Sequence, residues 1–142
     1  MAIDFAKGGV VDVGDGVFVY VGPDGDSNNG FVLTGEGLPT VYVSGDNASL
    51  DAVRETADRF APIDTALLFA GAPRFPMLFD GRPVVLDSAQ AAEATRILDA
   101  RRVVPVHHDS WAHFTEGRDE LEAAFAAAGL TDRLDQDWAQ RA

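Results

Sequence analysis

The first third of the chain reads as short apolar runs rich in valine, broken by glycine and aspartate. Val10–Val13 and Val17–Val21 flank Gly14-Asp15-Gly16, residue types that tolerate the left-handed positions of a tight hairpin. Residues 23–30, Pro-Asp-Gly-Asp-Ser-Asn-Asn-Gly, are loop chemistry throughout. Phe31-Val32-Leu33-Thr34 and Thr40-Val41-Tyr42-Val43-Ser44 form a second pair of runs around Gly35-Glu36-Gly37. Two hairpins in succession predict an antiparallel region.

Beyond Asp46 helical and extended patterns alternate. Leu50, Val53, Ala57 and Phe60 recur at helical spacing, with Asn47 or Ser49 as N-cap and Pro62 as terminator. Thr65-Ala66-Leu67-Leu68-Phe69 is a continuous apolar run, the pattern of a strand covered on both faces. Gly71 to Pro83 is a proline-rich loop, and Ala91, Ala94, Thr95 and Leu98 mark a second helix starting near Ser88. Arg102–Val106 is a further strand whose Pro105 requires an edge or a strand end. Leu121, Ala124, Phe125 and Ala128 mark a third helix ending at Gly129. The division expected is one α/β (α+β) domain over residues 1–130 and a polar tail over 131–142.

Composition narrows the function classes. Asp plus Glu number 23 against 11 Lys plus Arg, a net charge of −12. Such a surface repels phosphate backbones and anionic lipid, so neither nucleic acid nor membrane is an expected partner. With no cysteine, disulfides, thiolate nucleophiles and cysteine metal sites are excluded. No apolar run approaches ~20 residues and no basic, apolar leader precedes the first strand, so the expected compartment is the cytoplasm.

Candidate chemistry lies where strands stop, because side chains there leave the packed layer and enter a crevice. Gly45-Asp46 follows one strand and His107-His108 another. A carboxylate and an imidazole on neighbouring strand ends could share zinc, manganese or iron; the bland alternatives are a helix cap for Asp46 and a rim position for His107. Trp111, His113 and Phe114 follow closely, as a pocket wall or as a helix start packed on the sheet. Asp24, Asp26 and Asn28 alternate like calcium-loop ligands, but Asn29 and Gly35 stand where such a loop needs Gly and Glu. No G-x-S-x-G elbow is present, and no helix follows Gly14-Asp15-Gly16 to make a phosphate cradle.

Thr40-Val41-Tyr42-Val43-Ser44-Gly45-Asp46 and Val103-Val104-Pro105-Val106-His107 resemble two strands of the metallo-β-lactamase-fold hydrolase superfamily, in the branch of ascorbate-phosphate lactonase-like proteins. The resemblance runs from Gly30 to Phe125 and corresponds to the family's C-terminal half. It implies half of an α/β/β/α sandwich, a mixed sheet with helices on one face. It implies further that Asp46 bridges metals and His107 ligates one, with His108, Trp111 and His113 near the substrate mouth and no catalytic acid or base assigned. The implied cofactor is zinc, or else manganese or iron.

The family's defining His-x-His-x-Asp-His motif is absent, since His107, His108 and His113 are the chain's three histidines. The expectation is therefore an incomplete metal-dependent hydrolase, weakly metal-binding and weakly active or inactive alone. The alternative is a non-catalytic dimerisation or partner-binding module. Half a sandwich leaves the inner face of its sheet bare. Its cover is expected to be a second copy in a homodimer burying Val32, Val41, Val43, Leu67 and Phe69; the other candidates are the N-terminal hairpin and a complementary N-terminal half.

Overall fold

The computed structural model describes residues 7–22, 28–77, 79–109, 111–135 and 137. Asp24 and Asp26, the core of the calcium-like run, lie outside them. Among the described residues no helix is long and apolar enough to cross a membrane.

Six strands form one mixed sheet in sequential order: β1 (Gly9–Gly14), β2 (Val17–Val21), β3 (Asn28–Gly35), β4 (Leu38–Val43), β5 (Thr65–Phe69) and β6 (Arg102–Val106). The first three pairings are antiparallel and the last two parallel. The β1–β2 turn is the expected one, with Asp15 at φ 54° and Gly16 at φ 76°. Gly16 admits no side chain, because a Cβ there would stand 1.9 Å from the Thr34 carbonyl oxygen. The N-terminal hairpin thus continues the sheet at its edge. This corrects the expectation that it could fold over the inner face: its backbone groups are used in pairing β2 to β3. At the other edge lies β6, where Pro105 leaves no ladder donor unmatched.

The helices form as their patterns predict. Helix α1 (Leu50–Phe60) is capped by Ser49, whose side chain accepts from Ala52 N. Helix α2 (Ser88–Ile97) opens on a reciprocal capping box, Gln90 N to Asp87 Oδ1 at 2.8 Å and Asp87 N to Gln90 Oε1 at 3.1 Å. Helix α3 (Arg118–Ala127) follows Gly117, whose N–H donates to Glu120. That bond holds the exposed Glu120 carboxyl below its ordinary pKa. Residues 131–135 return to the body, with Leu134 buried and bridged to Val103.

Register assigns the two faces. Phe18, Val32, Tyr42, Ala66 and Val103 lie in one row across five strands, with Leu68 and Pro105 paired beside it. Val53, Ala91, Leu121 and Phe125 of the helices pack with most of that face in one core cluster. Burial pushes the Tyr42 phenol well above its usual range. On the opposite face Val17, Leu33, Val41, Thr65 and Arg102 form one row, Val19, Phe31, Val43, Leu67 and Val104 the next, and Phe69 and Val106 a third pair. None of these is fully buried; Phe31 and Leu33 are 38% and 43% exposed. Two expectations are corrected here. Val32 belongs to the helix-covered face, and β5, whose sequence predicted cover on both sides, has it on one: Ala66 and Leu68 are buried while Thr65, Leu67 and Phe69 are not.

Candidate functional site

The parallel strands β4, β5 and β6 end at the same edge of the sheet, and each leaves through a left-handed residue: Gly45 at φ 60°, Ala72 at φ 43° and His107 at φ 60°. For non-glycine residues that conformation costs roughly 1–2 kcal/mol. Strain of this kind persists where surrounding structure over-determines it, and it clusters at functional sites.

The strand ends are tied together by short polar side chains. The buried Ser44 hydroxyl donates to Gly45 O and accepts from Phe69 N at 2.9 Å, joining β4 to β5. Asn47, also buried, brackets Ser49 with both amide atoms and fixes the entry into α1. The loop after β6 is pinned to the loop after β5: Thr115 N donates to Gly71 O, Thr115 Oγ1 to Ala72 O at 2.6 Å, and Glu116 accepts from Ser88 N at the start of α2. Gly71 makes this approach feasible, since a Cβ there would meet His107 O at 2.3 Å and the Phe114 ring at 2.7 Å.

Asp46 is exposed, and no hydrogen bond or ion pair engages its carboxylate among the described residues; the α1 cap falls to Ser49. His107 is half-buried between the rings of Phe69 at 5.0 Å and Phe114 at 4.8 Å. Its Nδ1 is buried without a hydrogen-bond partner among the described residues. The expectation of neighbouring strand ends is corrected by the strand order, because β5 lies between β4 and β6. Asp46 and His107 therefore follow strands about two strand spacings apart, ~10 Å. Among the described residues no three His, Asp or Glu side chains converge as a ligand set.

The expected wall divides. His113 and Trp111 are exposed and extend the aromatic row from His107 through Phe114: His113 lies 4.8 Å from Phe114, 5.4 Å from Phe75 and 5.9 Å from Trp111. His108, past the end of β6 and after the left-handed His107, is 2% exposed. Burial lowers its pKa, with the Asp109 carboxylate at 3.5 Å opposing that shift. Ser44, Gly71, Thr115 and Glu116 were not read from the sequence as parts of this edge, whereas Phe114 was read with Trp111 and His113 as a candidate wall. Gly71-Ala72 directly after an apolar strand, paralleling Gly45-Asp46, was the available signal.

No family model matches the chain. A UPF0173 metal-dependent hydrolase of Pyrobaculum aerophilum is 34% identical over 129 residues, 84% of this chain and 50% of the relative. Among solved structures, an isothiocyanate hydrolase from Delia radicum gut bacteria superposes with a TM-score of 0.70 at 18% identity, over 95% of this chain and 55% of the other. A Thermotoga maritima protein of the metallo-beta-lactamase superfamily gives a TM-score of 0.55 at 23% identity, over 82% and 56%. The chain is a UPF0173 relative with half of a metallo-β-lactamase fold. It spans about half the length of the curated relatives it matches. The mixed sheet with helices on one face is that half of the metallo-β-lactamase architecture, as the sequence resemblance implied.

Proposed function

We propose that the chain forms one half of the active centre of a metal-dependent hydrolase, with Asp46 and His107 as two of its ligands. The observation that carries this reading is the unpartnered, buried Nδ1 of His107 on a strained strand end, at the same sheet edge as the unengaged Asp46 carboxylate. A buried polar atom left without a partner costs about 1–3 kcal/mol, and a ligand bound at this edge would relieve that cost. The donor types, one oxygen and one imidazole nitrogen, fit zinc, with manganese or iron as the alternatives. Two donors are fewer than the three protein ligands of a catalytic zinc, so the remaining ligands come from outside the described edge. A metal held there supplies a water of lowered pKa and polarises a carbonyl or phosphoryl oxygen.

The chain's own residues would shape the cleft. Phe69 and Phe114 hold the His107 ring, Ser44 and Thr115 lock the strand ends, and Trp111 and His113 offer an aromatic wall to a small-molecule substrate. A second reading, a pairing module without catalysis, is favoured by the absence of a third converging ligand among the described residues.

Zinc titration of the full chain separates these readings. Weak binding that Asp46→Ala and His107→Ala each reduce at least about tenfold, and that confers metal-dependent hydrolysis only once the complementary half of a relative is added, supports the hydrolase reading. Zinc affinity indifferent to both substitutions would remove it.

A further inference from the structure

We propose that the bare face of the sheet is a self-association surface whose occupant is a second copy of this chain, stacked face to face about a two-fold axis. The inference does not depend on a metal or on the hydrolase reading.

Three observations carry it. First, the two rows through Leu33 and Phe31 are apolar except for Thr65 and Arg102, and they cross five strands without a described element packed over them. Arg102 pairs with Asp135 of its own chain, so this corner presents no bare charge. Soluble monomers rarely leave so continuous an apolar surface open. Secondly, β5 has the composition of a strand covered on both faces and receives cover on one. Its sequence suits a sheet that is buried twice. Thirdly, the area of this face, doubled by a second copy, reaches what a stable interface needs.

A second copy satisfies the geometry of sheet stacking. Aligned sheets pack about 10 Å apart at roughly −30°, an angle that arises from the twist of each sheet. Two identical sheets have identical twist, and a two-fold axis closes the pair and leaves neither face open. Five strands of about five residues present roughly 400 Å² in projection. With side-chain relief, two copies remove on the order of 1,200 Å² from water, the lower end of stable interfaces. The net charge of −12 per chain opposes association at long range, and this repulsion is screened by salt. Pairing should therefore strengthen as ionic strength rises.

Sedimentation equilibrium on the full chain at micromolar concentration tests the proposal. The expected mass is twice the 15.1 kDa of one chain. Leu33→Glu and Phe31→Glu sit at the exposed apolar positions of the two rows, where a monomer accommodates a carboxylate. Each should raise the dimer dissociation constant about 100-fold or more, because the two-fold buries the new charge twice, while far-UV circular dichroism stays unchanged. Leu38→Glu, at an exposed position off this face, should leave the dimer intact. The two variants are independent, so misfolding of one leaves the other to decide. A wild-type chain that sediments as a folded monomer at high salt overturns the proposal. A dimer that survives both face variants overturns it equally, as does pairing only with the complementary half of a relative.

Discussion

The two faces of the sheet are built from the same strands and nearly the same amino acids, yet they live in different environments. On one, Val32, Tyr42, Ala66, Leu68 and Val103 are buried beneath three helices. On the other, Phe31, Leu33, Val43 and Leu67 have no described element above them. Residues 67 and 68 are both leucine, adjacent in one strand, and differ only in which way the pleat sends them. Apolar composition therefore measures the burial a strand is suited to, and tertiary structure decides whether that burial is supplied within the chain. In this molecule the difference marks where another layer belongs.

The sharpest way to test the comparison is to truncate the two leucines. Leu68→Ala should cost about 3–4 kcal/mol in urea denaturation at every protein concentration, since the cavity lies inside the chain. Leu67→Ala should cost less than about 1 kcal/mol in dilute solution, where its site is open, and more as concentration rises and pairing contributes. Equal and concentration-independent losses would erase the distinction between the faces.

At the sheet edge Gly71→Ala comes next in size. Its methyl group would collide with the His107 carbonyl and the Phe114 ring, so a loss of about 2–3 kcal/mol is expected. Zinc binding should fall with it if His107 is a ligand, and a variant stable to within about 0.5 kcal/mol would contradict a close approach of the two loops at Gly71.

Ser44→Ala is smaller. It leaves Phe69 N without its acceptor, at about 1–2 kcal/mol, and should speed amide exchange at Phe69 more than in the β1–β2 hairpin. Uniform exchange across both regions would count against Ser44 as the tie between β4 and β5.

The smallest effect is electrostatic and lies away from both faces. The Gly117 N–H lowers the Glu120 pKa in the folded state, so the stabilisation is present above the unfolded value and is lost as pH falls through the folded one. Glu120→Gln should therefore remove a small stabilisation near neutrality, leave stability unchanged below the folded pKa, and so flatten the acid limb of the profile slightly. A loss at pH 3 as large as the loss at pH 7 would contradict this assignment.

Much of the architecture was legible in the chain itself. Gly14-Asp15-Gly16, the Ser49 cap, Pro62, Pro105 and Gly129 act through backbone geometry within a few residues of themselves, so their meaning survives without knowledge of the rest of the fold. The strand-end positions of Asp46 and His107 were readable for the same reason. Their separation was not, because strand order is a non-local property: nothing in either segment says that β5 inserts between them. Nor does a glycine after an apolar run announce that it will carry the carbonyl of a histidine 36 positions later against its own Cα.

What the sequence by itself determined was therefore the inventory: six strands, three helices, their ends, and a candidate carboxylate and imidazole at two of those ends. Only the tertiary structure decided which alternate row of each strand the helices cover, that the N-terminal hairpin extends the sheet instead of closing it, and that His107 leaves its strand in a strained, ring-packed turn. The physical reason is the period of two. It sorts residues into two faces with certainty, but when both faces are apolar it carries no sign to tell the one the chain buries itself from the one it leaves for another surface.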